Sequence, residues 1–448
     1  MSVIGRLGHD LAEFAANLHS RLDELHADTL DDIGRQIDQS RDDLTELANG
    51  IKTWTLAHPE PIFALLRRTQ PILFVRDLVL VTRFTDVQEV LSRDDVFQVT
   101  YAEKFKAVTA GRNFFLGMQS SPEYTHDVSA MRLVFRREDI ATRIIPFIER
   151  SARAIVAGSG GRLDVVADLT RIVPASLMAS YVGIAGPNDD TLAKWGAVIS
   201  QYLFLAFEED AALTQAALAA SASMRAVIDD AIADRKKHRG KADDVLERCL
   251  QLQEGGVPGM DDLSIRNNLF GIIVGAMPTT SAAAARAIDE LLRRPEALSA
   301  AQEAARAGDD DTVSRYVFEA LRFNPVGPGV FRLAADDYTL AKGTIRSKTI
   351  PKGKTVVALI QSAMSDETVL DAPLEFRIDR PRHHYMHFGY GLHTCFGQYI
   401  NIHQIPLLAK AVLQCRNIER AEGQMGQLTL DGPFPASLKI LFAEPPAF

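Results

Sequence analysis

The sequence predicts a mainly α-helical fold with small β-sheets, and three observations carry that reading. From about residue 125 to 320, apolar residues recur mostly at helical spacing. Within that stretch, LSIRNNLFGIIVGAMPTTSAAAARAIDELLRRPE is apolar nearly all round from Leu269 to Ala276, the pattern of a helix buried through the centre of a domain. Strand-like runs are short and confined to the neighbourhood of Val79 and to the region beyond 325.

Each element follows in order. Residues 1–57 place Leu22, Leu25, Leu30, Ile33 and Ile37 at helical spacing among acids, which predicts a helical extension. After the breaks at Pro59, Pro61 and Pro71, a strand through Val79, Leu80 and Val81 turns into a helix near Asp86. Gly-rich breaks at 158–166 and 183–190 interrupt the helical region; neither is a phosphate loop, because no G-x-x-x-x-G-K or G-x-G-x-x-G is present. Pro278 is the one oddity of the long central helix. Past 325, VFRLAADDYTL and GTIRSKTIPKGKTVVALI read as short strands and turns, then a loop feeds a final helix at about 396–416. No repeat and no Pro/Gly/Ser linker divides the chain, so one domain over 58–448 is expected after the extension.

Composition narrows the class. The 448 residues are 47% hydrophobic and 24% charged, as in ordinary globular proteins. Forty-nine basic against fifty-eight acidic residues leave a net charge of −9, with no basic field to hold nucleic acid or an anionic membrane. Three cysteines are too few to staple a chain of this size, which points to a reducing compartment. The N-terminus meets charges early and offers neither a signal peptide nor a membrane span, so a cytoplasmic location is expected. The apolar stripe of residues 1–57 needs burial, which makes self-association or partner docking a possible role.

The most informative stretch is Phe388-Gly389-Tyr390-Gly391-Leu392-His393-Thr394-Cys395-Phe396-Gly397, a loop that delivers a cysteine to the start of a helix. A helix N-terminus favours negative charge, so a thiolate can be held there at neutral pH. Glycines let the backbone turn tightly and bring amide N–H groups toward the sulfur. His383, His384, His387 and His393 lie nearby, but adjacent His383 and His384 would point apart and no C-x-x-C or H-x-x-x-H accompanies them, which argues against zinc.

With these residues in place, the chain resembles the cytochrome P450 superfamily, whose F-x-x-G-x-x-x-C-x-G signature is met by Phe388, Gly391, Cys395 and Gly397. Glu319 to Arg322 supplies its E-x-x-R, followed in order by Phe331-Arg332 and by Phe376 to Arg380; the resemblance runs from about Pro59 to the C-terminus. It implies haem b (iron protoporphyrin IX) with Cys395 as iron ligand, Arg332 and His393 on the haem propionates, and Phe388, Gly389 and Gly397 in the haem-binding loop. It implies a bracing ion network of Glu319, Arg322 and Arg380. Arg132 is a third propionate candidate, although the family's His-x-x-x-Arg is not reproduced there: Tyr124 with Val128, or Asp127 with Met131, takes its place depending on alignment. Phe114, Phe115, Ala276, Val330 and Phe434 are implied to line the pocket, whose apolar character suits a lipid, terpenoid or other hydrophobic small molecule.

Two departures bear on mechanism. In Gly275-Ala276-Met277-Pro278-Thr279-Thr280, Thr279 keeps the family's distal hydroxyl, but Pro278 stands where an acid relays protons. After Gly397, Ile402 and Gln404 replace a charged pair, and Pro406 is expected to bend the helix on the face where a ferredoxin partner would dock. Monooxygenation with ferredoxin and its reductase is therefore the default expectation. Peroxygenase or fatty-hydroperoxide isomerase/dehydratase chemistry without a donor is an alternative, and a non-catalytic haem sensor or carrier is a reading of another class.

Overall fold

The computed structural model describes residues 59–111, 114–204 and 210–443. The expected helical extension at 1–57, and with it the self-association reading, lies outside the described residues.

In chain order the fold begins with α1 (Glu60–Thr69), β1 (Ile72–Val75), β2 (Leu78–Val81), α2 (Phe84–Ser92), β3 (Phe97–Gln98), α3 (Ala102–Thr109) and α4 (Pro122–Val134). A π-helical turn, Ile140–Ile144, leads into α5 (Ile145–Gly158), then β4 (Arg162–Asp164). Two more π-helical segments, Val165–Thr170 and Met178–Val182, flank α6 (Ile172–Leu177). The long helices follow: α7 (Asp189–Phe204), α8 (Ala211–Lys237), α9 (Val245–Glu254), α10 (Asp262–Leu292), α11 (Pro295–Ala307) and α12 (Asp310–Phe323). Strands β5 (Val330–Ala334), β6 (Tyr338–Leu340), β7 (Lys348–Ile350) and β8 (Thr355–Ala358) precede α13 (Ile360–Ala363) and α14 (Gln398–Leu413). Short strands β9 (Glu419–Arg420), β10 (Thr429–Asp431), β11 (Phe434–Ser437) and β12 (Lys439–Leu441) complete the described chain.

Helix α10 is the axis. Asp261 caps it by accepting the Ser264 N–H at 2.9 Å, and its apolar residues are buried on several faces at once, as a helix apolar nearly all round must be. It packs on α7, α8, α12 and α14 and runs as helix through Pro278. Helix α14 likewise continues through Pro406.

The β-rich part is a five-stranded sheet of order β1-β2-β8-β5-β3, with β2 and β8 parallel and the remaining pairs antiparallel. Its register sets Val79 against Val356 and Arg332 also against Val356, so an arginine from β5 is presented beside an apolar strand. A three-stranded sheet β4-β12-β9 and two hairpins, β6-β7 and β10-β11, lie apart from it. Among the described residues, three stretches are long and apolar enough to cross a membrane by length and composition: Val165–Val182, α8 and α10. Within the fold α10 is mostly covered by protein, whereas only 28% of the α8 window is.

Candidate functional site

The cysteine loop is seated on α2. At Gly391, where φ is +75°, a Cβ would stand 2.2 Å from the Leu91 carbonyl oxygen, so a side chain fits neither the backbone conformation nor the space. The loop then closes on itself through the Cys395 N–H, which donates to the Phe388 carbonyl at 2.8 Å. Burial pushes the Cys395 thiol up from its ordinary value, and the N–H groups of Gly397 and Gln398, at the start of α14, oppose that rise by favouring the thiolate.

Cys395 opens onto a cavity of about 380 Å³ between α10 and the loop. From α10 it is lined by Gly271, Ile272, Gly275, Ala276, Thr279 and Ala283. Phe114, Phe115, Val330 and Arg332 face it from elsewhere, as do Phe388, Gly389, His393 and Gly397 of the cysteine loop. The fold therefore brings together most of the residues singled out from the sequence, drawn from segments far apart in the chain.

Two do not join them. Phe434 sits on β11, buried on a strand that contacts α10, and does not line the cavity. Arg132 is exposed on α4, because it falls off the buried stripe of Tyr124, Val128 and Met131. Tyr124 is the α4 residue that reaches the loop: its hydroxyl donates to the Leu392 carbonyl at 2.8 Å and its ring meets His393 edge-on at 5.6 Å.

The polar walls of the cavity fit a dianionic, planar group such as haem. Both ring nitrogens of His393 are buried without a partner, and burial pushes this histidine down to about 4, with the nearby Arg332 charge adding to the effect. Arg332 is buried, yet among the described residues it meets only the Phe331 carbonyl, at 2.9 Å, and the Tyr101 hydroxyl. Two buried donors that face one cavity and lack an acid of the chain call for acceptors from outside it. With Cys395 in the same wall, an iron ligand and two carboxylate-binding groups are in place for that cofactor.

Behind the loop, Glu319 and Arg322 are both fully buried and joined by two hydrogen bonds of 2.8 and 3.0 Å. Arg380 Nε adds a bond to Glu319 at 3.3 Å, and both arginines donate to the carbonyls of 371–375 that lead toward the cysteine loop. Tyr385, which sequence reasoning missed, donates to Glu319 at 2.8 Å and is pushed far up by burial and that carboxylate. His387 is held at the Phe318 carbonyl, 2.9 Å away, and stacks on Tyr385.

Above the cavity, Thr279 Oγ1 donates to the Gly275 carbonyl at 2.5 Å. Pro278 is buried on the side of α10 that meets Gly196 of α7 and is not among the residues lining the cavity. Thr280 Oγ1 donates to Asn401 Oδ1 at 3.0 Å, a buried tie between α10 and α14 that the sequence signalled only as a polar residue in an otherwise apolar helix face. On the outer face of α14, Ile402, His403 and Pro406 line a shallow groove with Asp310 and Lys410, and Arg137 stacks on the exposed Tyr399 ring at 4.0 Å.

Comparison with known proteins agrees with this site. The family model described as Cytochrome P450 matches residues 198–446, more than half of the chain. The chain is 26% identical to nocardicin C N-oxygenase of Nocardia uniformis subsp. tsuyamanensis over 75% of its own length and 83% of that protein. It is 23% identical to mycinamicin IV hydroxylase/epoxidase of Micromonospora griseorubida, over 78% and 86% of the two chains. The crystal structure of CalO2 superimposes with a TM-score of 0.74 at 21% identity, covering 87% of this chain and 97% of that one. With the cysteine loop, the buried Glu319–Arg322 pair and the central helix in that arrangement, this chain belongs to the cytochrome P450 family, oxidoreductases of the haem-dependent monooxygenase class.

Proposed function

We propose that this protein is a haem b monooxygenase that oxidises a hydrophobic small molecule in the cavity above Cys395. The observation that carries the reading is one cavity lined both by Cys395, Arg332 and His393 and by the apolar Phe114, Phe115, Ile272 and Ala276. When bound, haem supplies oxygen activation through a cysteinate-ligated iron. The chain's own residues do the rest. Cys395 would hold the metal, with the Gly397 and Gln398 N–H groups supporting its charge. Arg332 and His393 would hold the cofactor's carboxylates. The aromatic ceiling excludes water and orients the substrate by shape. Thr279 presents its hydroxyl at the cavity wall and would hold a water-borne proton there.

An electron donor of acidic character, such as a ferredoxin served by its reductase, suits the surface where Arg137 stacks on the exposed Tyr399 and where Arg132 and Arg136, close in sequence to Arg137, are also exposed. A cytoplasmic setting accords with such a donor. The arginines lie on α4 and just after it, which offsets the loss of charge at Ile402 and Gln404.

Hydroperoxide chemistry without a donor is the second reading. It is favoured by Pro278, which supplies no acid, and by the Thr279 hydroxyl, whose proton is engaged by Gly275.

The deciding experiment supplies the purified haem protein with a panel of hydrophobic substrates, either with O₂, NADPH and a surrogate ferredoxin pair or with fatty hydroperoxides alone. Product in the first arm and not the second is expected, and Cys395→Ser should abolish both product and the reduced carbon-monoxide spectrum of a thiolate-ligated haem. Product from hydroperoxide alone replaces the proposal by the second reading. An unchanged spectrum in the Cys395→Ser variant sinks both.

A further inference from the structure

Among the described residues, two side chains have both of their polar atoms buried without any partner: His393 and Asn268. His393 is accounted for by the cofactor's carboxylates. Asn268, which is 1% exposed, has no such explanation, and a buried amide that bonds to nothing is costly.

Its position on α10 is informative. The cavity-facing stripe of that helix runs Gly271 and Ile272, Gly275 and Ala276, Thr279, Ala283. Asn268 lies three and four residues before the first pair, so it continues the same stripe one turn beyond the end of the cavity. At the rise of a helix it stands about 12 Å along the axis from Ala276. Gly271, the first cavity residue after Asn268 on that stripe, is covered by the Phe114 ring: a Cβ on Gly271 would come within 2.4 Å of it, so the ring lies directly on the helix backbone there. Phe114 belongs to a run of aromatic contacts with Phe105 and Phe115.

We propose that Asn268 is a specificity-determining residue of the monooxygenase, binding a hydroxyl or carbonyl group at the far end of an elongated, otherwise apolar substrate whose body lies under Ala276. The substrate takes the place of the Phe114 ring against Gly271 and satisfies the amide. The inference rests on the cavity being the substrate chamber. It adds a polar end group to the hydrophobic class, at a fixed spacing from the oxidised carbon.

The test is a titration of the ferric haem protein with three probes of one length, n-dodecane, 1-dodecanol and 2-dodecanone, read by the ligand-induced change in haem absorbance. Wild type should bind the alcohol or the ketone roughly three- to tenfold more tightly than the alkane, the range of one net hydrogen bond. In Asn268→Leu, which keeps the branched shape without the polar atoms, that preference should vanish while alkane binding persists, and Asn268→Ser should restore part of it. In the ligand-free protein Asn268→Leu should melt no lower than wild type, because it removes an unsatisfied amide. A lower melting temperature means the amide is already bonded internally and overturns the proposal. Equal affinity for all three probes in wild type overturns the role of Asn268 alone. No spectral change with any of them overturns the substrate-chamber reading, and this inference with it.

Discussion

At Cys395 burial favours the thiol and holds its pKa above the ordinary value, while two backbone N–H groups at a helix start work against that rise by favouring the thiolate. His387, nearby, shows burial acting on a base. It is buried against a carbonyl and pushed down to about 4, so it stays neutral in the fold. Its folded value lies below the ordinary 6.5, so the unfolded chain binds the proton more tightly. Its contribution is therefore present above pH 6.5 and is lost progressively as pH falls from 6.5 toward 4. A tenfold difference in proton affinity between the folded and unfolded chains is worth about 1.4 kcal/mol, so the loss should reach about 3 kcal/mol. Melting curves of wild type and His387→Asn across that window check it: the variant should start lower and fall less steeply. Identical slopes would remove His387 as the cause. The cysteine and its glycines were legible in the sequence because their spacing is local. The partners of His387 were not, since Phe318 and Tyr385 reach it only through folding.

At the scale of elements, the packing of α10 on α14 includes a buried hydrogen bond, Thr280 to Asn401. Thr280→Val leaves the Asn401 carbonyl without its donor and should cost about 1–3 kcal/mol, whereas Thr280→Val with Asn401→Leu should cost less than the sum of the single changes. Urea unfolding of the four proteins in the cycle measures this, and strict additivity would mean that the bond does not couple the helices. The α10 helix itself could be read from its apolar run, and so could its proline. Which way Pro278 points could not: a residue buried on a helix apolar all round faces whichever neighbour tertiary packing supplies, here Gly196 of α7. Phe434 and Arg132 were misplaced for the same reason. Both sit on elements of the expected type, but the face presented to the cavity depends on strand register and helix rotation rather than on the residue's own character.

Across the whole molecule, the Glu319–Arg322–Arg380 cluster joins α12 to the 371–380 segment and through it to the loop that carries Cys395. Because Glu319 accepts from two guanidinium groups, the Tyr385 hydroxyl and the Arg377 N–H, Glu319→Gln leaves buried positive charge uncompensated. A loss of about 3–5 kcal/mol in chemical unfolding is expected, together with reduced haem retention. Full stability in the variant would show that the network is not what braces the loop.

By itself the sequence determined the helical class, the cysteine loop and the ordered set of charged motifs, because these depend on periodicity and on residues adjacent in the chain. The tertiary structure alone decided that Arg332 and His393 share one wall without an acid, that Tyr124 rather than Arg132 touches the loop, and that Asn268 is buried with nothing to bond. Each of these depends on residues far apart in sequence being packed out of water, and the cost of an unpartnered polar atom exists only once that water is gone.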